Sequence, residues 1–395
     1  MNCSNENKDP LLILTSRFPY PLEKGDKLRA FHQLVELSKK NAITLFAVSD
    51  TPVHPEHINI VQHYCKEVVI QQQSFFQKTV QMASAFLKGT PLQVGYFYSP
   101  SGKRKVKQLL KENNFKHIYC QLIRMSEYVK NEHLIPKTID YMDALSAGVQ
   151  RRVNQQPFYK KWLFKMEAKR LLEYETHIFD YFEHRTIIST QDRDLIRHPE
   201  AHQIHCIPNG ISDLFFENLK VVQDHDFVFV GNMSYAPNVE AVQFIHANIL
   251  PHFPGRKLLV SGSTPHPRIK KLASQSSQIT LTGWVEDIRT SYLRGKVFLA
   301  PMVIGTGMQN KLLEAMALGI PCITTALANN AIRATHGKEI LVSVSDEDFV
   351  TAIHTLLDDQ KKYDDIRKNA QKFVKENYSW ESSTSRLVQL ISNQG

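Results

Sequence analysis

Cysteine is scarce in this 395-residue chain, and its five residues (Cys3, Cys65, Cys120, Cys206, Cys322) are scattered, odd in number and never spaced as C-x-x-C. That pattern excludes a disulfide scaffold and the common thiolate zinc motifs, and suits free thiols in a reducing compartment. No apolar run approaches the ~20 residues of a membrane-crossing helix. The opening MNCSNENKDP holds no apolar h-region, and Cys3 lacks the hydrophobic stretch of a lipoprotein signal, so a cytoplasmic location is expected. No segment is low in complexity. Seventeen histidines are present, yet no H-x-x-x-H or H-E-x-x-H pattern sits on a convincing helix, so neither a protein-bound metal nor a resident cofactor is expected.

What the chain does have is 42% hydrophobic residues over a length too great for one ordinary core, which implies two domains. Its formal charge is +9, with the basic residues spread along the chain. That spread disfavours a nucleic-acid arm. It leaves two readings open: ordinary solvated charge, or a basic face resting on an anionic membrane, which would place the protein at the inner face of the cytoplasmic membrane.

Apolar strand-like runs alternate with amphipathic stretches from end to end, the pattern of parallel α/β architecture. Strands are expected at Leu11–Thr15, Ile43–Val48, Lys66–Ile70, His117–Cys120, Thr138–Tyr141 and Thr186–Ser189. Helices are expected at Asp26–Lys40, Ser74–Leu87, Lys103–Glu112 and around Phe158–Tyr181. The turn Ile207-Pro-Asn-Gly-Ile211 marks a boundary. The alternation then restarts, with strands at Phe227–Val230, Lys257–Ser261, Ile279–Thr282, Val297–Ala300 and Pro321–Thr325, and helices at Val239–Ile249 and Gln309–Leu318. Phe349–Leu390 reads as helical. The expected division is 1–206, 207–376 and a C-terminal helix, 377–395, crossing back to the first domain. The fold class is therefore α/β, with two Rossmann-like doubly wound domains facing a cleft and a helical tail.

The most informative stretch runs from Ala300 to Pro321, APMVIGTGMQNKLLEAMALGIP. A strand enters a loop holding Gly305, Thr306 and Gly307, and Met308, Gln309 and Asn310 lead into a helix. Unpaired amides at a helix start, with its dipole, form an anion site. Lys311 adds a full charge there. Glu314, three residues on, shares its face and is placed to accept hydrogen bonds from two ribose hydroxyls. From spacing alone, a surface Lys–Glu pair over a glycine turn would look the same.

This stretch resembles the donor-site signature of GT-B glycosyltransferases of family 4 (group 1), and in particular bacterial sugar transferases associated with exopolysaccharide and PEP-CTERM systems. Glu314 matches the glutamate that binds the donor ribose in that family. The wider family carries a second glutamate where this chain has Thr306, whereas the subgroup reads Gly-x-Gly-x-x-Asn-Lys-Leu-Leu-Glu-Ala-Met, as here. The resemblance makes Lys311 and Glu314 the catalytic pair. The segment 229–242, with Gly231, Asn232 and Ser234, is similar to the subgroup's first strand–loop–helix of the donor domain; the wider family has Arg and Lys in that loop. Thr282-Gly-Trp-Val-Glu-Asp-Ile288 resembles the loop around the nucleotide base, with Trp284 as a wall and Val285 offering backbone contacts, although taken alone such a tryptophan is more often a core or cap residue.

In the first half, Arg17–Arg29 resembles the Lys-Gly-Asp-Lys-x-Arg loop of the same transferases. Gly25 would let the loop approach the cleft, Asp26 would cap the helix, and Lys24, Lys27 and Arg29 are either phosphate ligands or helix surface. Asp140 and Asp143 would face the acceptor, and Gln121 and Arg124 would touch donor or acceptor. Asp192-Arg193-Asp194 has the form of an Asp-x-Asp metal motif, but it reads as helix capping. The resemblance implies retaining, metal-independent transfer of a hexose-type sugar from a UDP- or GDP-sugar, a co-substrate, to a glycan or lipid-linked acceptor. A nucleotide-sugar epimerase and a non-catalytic nucleotide-sugar binder are the rival readings.

Overall fold

The structure, a computed structural model, describes residues 8–153, 156–302 and 308–392. Two compact units emerge: one holds the chain up to Asn209 together with the residues from Thr384 on, and the other is Gly210–Ser383.

The first unit is built on a seven-stranded parallel sheet: β1 (Asp9–Thr15), β2 (Asn41–Ser49), β3 (Glu67–Gln72), β4 (His117–Gln121), β5 (Lys137–Asp140), β6 (His184–Ile187) and β7 (His205–Cys206). Its order is β3-β2-β1-β4-β5-β6-β7. β1 is an unbroken apolar run because both faces of the sheet are covered. Leu11 and Ile13 enter one core with Leu34, Leu37 and Leu45, while Leu12 and Leu14 enter another with Phe46, Ile118 and Ile139. The last helix, Trp380–Ser392, adds Leu387, Leu390 and Ile391 to the first of these cores, an apolar stripe at helical spacing.

The second unit has a six-stranded parallel sheet: β8 (His225–Val230), β9 (Leu258–Ser261), β10 (Ile279–Gly283), β11 (Gly295–Ala300), β12 (Cys322–Thr325) and β13 (Leu341–Ser343). The order β10-β9-β8-β11-β12-β13 is the doubly wound 3-2-1-4-5-6 arrangement. Its winding reverses between β8 and β11, which pair in register Phe298↔Val228. In the first unit the reversal lies between β1 and β4. Ligands of such sheets bind beyond the carboxyl ends of the strands flanking that reversal.

Most expected elements are present with ends shifted by one to three residues. The expected helix at Val239–Ile249 is Ala236–Phe244 followed by a π-turn, Ile245–Ile249. Several short elements carry no sequence signal, among them Leu92–Phe97, whose first amides are satisfied from far away: Glu167 accepts hydrogen bonds from Leu92 N at 2.8 Å and Gln93 N at 3.0 Å. Asp26 does not cap the helix Gly25–Ser38. The N-cap is Lys24, without a side-chain bond, and Asp26 lies in the first turn, paired with Arg17. Asp192 does belong to a cap, its backbone N donating to Ser189 Oγ at 3.1 Å. Cys120 and Cys322 are fully buried free thiols, and burial pushes both thiol pKa values up.

Candidate active site

In the second unit three strands end on glycine at the same edge, and two of those glycines are required by space. A Cβ on Gly231 would lie 2.6 Å from Asn238 Nδ2, and one on Gly262 (φ +139°) would lie 1.8 Å from the Gly231 oxygen. Gly262 N donates to the Gly283 oxygen at 2.9 Å, tying β9 to β10. The loop after β8 closes as an Asx turn: Asn232 Oδ1 accepts from Ser234 N at 2.9 Å and Ser234 Oγ at 2.8 Å. Both side chains are exposed. Without the cationic residues of the wider family, this loop offers dipoles rather than charge.

The charge comes from the other side of the reversal. The helix Asn310–Ala317 follows β11 and carries Lys311 in its first turn. The Lys311 ammonium reaches back to donate to Asn238 Oδ1 and lies 5.1 Å from the centroid of the Phe229 ring. Asn238 is buried, and its Nδ2 donates to the Asn232 oxygen at 2.8 Å. One amide thus couples the β8 loop to the lysine on the helix after β11. Burial lowers the Lys311 amine from 10.5 to about 8, and Glu314 offsets part of that shift.

Glu314 lies one turn further along. Its carboxyl is raised by burial, with the Tyr292 hydroxyl and Lys311 acting in the opposite sense. Tyr292, fully buried on the helix Ile288–Leu293, donates to Glu314 Oε2 at 2.6 Å. A glutamate anchored through one oxygen is pre-oriented and keeps acceptor capacity on the other. Trp284 follows Gly283 at the end of β10 and is 73% exposed. It is neither core nor cap, and Val285 beside it is half-buried. Met308, Gln309 and Asn310 lead into the lysine helix half-buried. Gly305, Thr306 and Gly307 lie outside the described residues.

Asn238 and Tyr292 were not singled out by sequence. Asn238 lies inside the 229–242 segment, and its signal is a polar residue just after Pro237 where a helix begins. Tyr292 gave none, since 22 residues separate it from its partner.

The first unit corrects several expectations. Arg29 and Asp140 are both fully buried and pair with each other: Nε to Oδ2 at 2.6 Å and Nη2 to Oδ1 at 3.1 Å. Thr186 Oγ1 and Tyr119 OH also donate to Asp140, at 2.9 and 3.2 Å. Arg29 Nη1 holds the Ile207 oxygen at 2.9 Å and Asn209 Oδ1 at 3.0 Å. Burial alone would lower the Arg29 pKa, but Asp140 outweighs it and the net shift is upward. Neither group is open to a ligand. Two segments that looked like site motifs therefore meet in a structural lock, with the Pro-Asn-Gly turn fastened to it. A Cβ on Gly25 would make only an ordinary contact, 3.6 Å from Met142 Cε, so close approach does not require glycine there.

The other residues do gather near the first unit's reversal. Gln121, at the end of β4, donates to the Asp26 oxygen at 2.9 Å. Arg124 bonds Gln93 Oε1 at 2.7 Å, and Arg124 and Arg17 lie 5.2 and 5.4 Å from the Phe97 ring centroid. They line a pocket of about 280 Å³ with Phe97. Lys27 is half-buried and Asp143 exposed.

These two sheets, each wound about its own reversal, define a GT-B glycosyltransferase fold. Residues 224–359, within the second unit, match the family model described as glycosyl transferases group 1. Among solved structures the chain is similar to a sucrose-phosphate synthase from Thermosynechococcus elongatus, with TM-score 0.66, 16% identity, and 97% and 98% of the two chains covered. It is also similar to Anabaena Alr3699/HepE, solved with UDP and glucose, with TM-score 0.65, 13% identity, and 98% and 100% coverage. A Klebsiella pneumoniae protein described only as lying in a cps region is 22% identical over 397 residues, covering 93% of this chain and 96% of its own length.

Proposed function

We propose that the chain transfers a hexose-type sugar from a UDP- or GDP-sugar to a glycan or lipid-linked acceptor in bacterial surface or exopolysaccharide synthesis. The observation that carries this reading is the Lys311–Asn238 bond beside Glu314: a partly desolvated cation at a helix start, held across the sheet's reversal, with a carboxylate one turn on. The UDP and glucose in the HepE structure and the cps-region relative support the donor class and the setting.

In this reading the diphosphate lies on the first turn of the helix Asn310–Ala317 against Lys311, Glu314 accepts from the ribose hydroxyls, and Trp284 walls the base. The bond from the anomeric carbon to phosphate oxygen breaks while the acceptor oxygen bonds the same face, retaining configuration. The acceptor's proton passes to the departing phosphate. Lys311 and the helix amides stabilise the charge gathering on that phosphate, and no metal is needed. Lys27, Gln121, Arg124 and Asp143 form the acceptor side.

Glu314→Ala should weaken UDP or GDP binding by about 1.5–3 kcal/mol, the range for a charge-assisted bond, read as a smaller thermal shift at saturating nucleotide. An unchanged shift would remove the ribose assignment. Release of nucleoside diphosphate that depends on added acceptor is the outcome for a transferase. Product without acceptor would make the protein an epimerase, and binding without turnover a non-catalytic binder.

A further inference from the structure

Eight Phe, Tyr and Trp side chains are exposed among the described residues, and their distribution is uneven. Two lie in the second unit: Trp284 just after β10, and Tyr235 at the start of the helix Ala236–Phe244. The other six belong to two helices of the first unit: Phe158, Tyr159 and Trp162 on Phe158–Ile178, and Phe75, Phe76 and Phe86 on Phe75–Lys88. Phe158 and Phe75 are 86% and 85% exposed, and Trp162 is 59% exposed. Burying such rings in water-soluble cores is the norm, so their clustering outside one calls for an apolar partner.

The charge along these segments is mostly basic, with Asp50 paired to Lys78 on one helix and Glu173 to Lys169 on the other. Between Asp143 and Glu173 the chain holds Arg151, Arg152, Lys160, Lys161, Lys165, Lys169 and Arg170 against a single acid, Glu167. Glu167 is buried and spends both oxygens on the Leu92 and Gln93 amides. No acidic residue occurs between Glu67 and Glu112. The two helices are neighbours: Arg170 lies 5.2 Å from the Phe86 ring centroid, and Glu167 holds the helix that follows Phe75–Lys88. Tryptophan, tyrosine and phenylalanine alternating with lysine over two helical turns is the composition that settles in the headgroup layer, rings toward the acyl chains and ammonium groups toward lipid phosphate.

We propose that the amino half of the helix Phe158–Ile178 docks the first unit on an anionic lipid bilayer. A protein partner would need matching acids in fixed places, whereas a bilayer accepts a continuous basic and aromatic face. No helix among the described residues is long and apolar enough to cross a membrane, so the attachment is to one leaflet.

The test uses the full chain and vesicles of phosphatidylcholine with or without phosphatidylglycerol. Wild-type protein should co-sediment with the anionic vesicles, less so as salt rises, and the Trp162 emission should shift to the blue. Lys160→Gln with Lys161→Gln should weaken partitioning roughly thirtyfold, from about 1 kcal/mol per removed charge. Phe158→Ser with Trp162→Ser should abolish the residual salt-resistant binding. Both variants should keep the wild-type melting temperature and nucleotide-induced thermal shift, so a failure of docking is distinguishable from a failure of the donor reading. Wild-type protein that ignores anionic vesicles at low salt overturns the proposal, as does vesicle binding untouched by both variants. A wild-type dimer that the same substitutions dissolve would instead make this face a contact between two copies.

Discussion

The lysine at the start of the helix Asn310–Ala317 makes a prediction that can be worked through in numbers. Its amine sits near pH 8 rather than 10.5, because burial disfavours the charged form. A terminal phosphate is already ionised above pH ~7, so Lys311 is the group whose titration controls diphosphate binding on the alkaline side. Below pH 8 the ammonium is present and binding is full strength. By pH ~9 about one free molecule in ten retains it, and affinity should fall about tenfold, or ~1.4 kcal/mol. Binding should draw in a proton through this range, because the anion raises the lysine's pKa. The sign for stability is opposite. The unfolded chain binds more protons between pH 8 and 10.5, so the ligand-free protein gains stability as pH rises through that window. Calorimetric titration with UDP or GDP at pH 7, 8 and 9, in buffers of different ionisation heat, reads both affinity and proton uptake. Lys311→Met should bind weakly and without pH dependence, while Lys311→Arg keeps its charge and should also be flat. A wild-type affinity that is constant from pH 7 to 9, with no proton uptake, would refute the placement of the diphosphate on this lysine.

Trp284→Ala should weaken nucleotide binding by about 1–3 kcal/mol, the range for a base stacked on an aromatic ring, with little change in melting temperature because the indole is exposed. Gly231→Ala should lower nucleotide affinity as well as stability, since the new methyl drives Asn238 off Lys311; binding and unfolding curves that match the wild type would contradict this. Arg29→Met should cost about 3–5 kcal/mol in denaturant unfolding, because it strands Asp140 as a buried charge. The double variant Arg29→Met with Asp140→Leu should recover much of that loss.

Which of these features could be read in advance follows from their range along the chain. Strands of the sheets were legible because parallel strands buried on both faces are continuous apolar runs, as in Leu11–Leu14. Lys311 and Glu314 were legible as a pair because both lie on one short helix, a turn apart. The lock of Arg29 with Asp140 was not. The two are 111 residues apart, and an arginine following Lys-Gly-Asp-Lys has the same local pattern whether it faces ligand or core. Only burial distinguishes them. The same limit hid Tyr292 and Asn238, whose roles exist only once β8 and β11 are paired in the sheet. Short helices such as Leu92–Phe97 escaped because their ends are satisfied by tertiary bonds rather than by neighbours in sequence.

The placement of Leu387, Leu390 and Ile391 has a consequence for how the chain is made. The ribosome releases the strands of the first unit early, then synthesises all of Gly210–Ser383 before the residues that finish the first unit's core emerge. Until then Leu34, Leu37 and Ile207 lack the apolar stripe that seals them. The earlier-made half is therefore the later one to be completed, and a chain cut short before Thr384 should leave it, rather than the second unit, open to proteases.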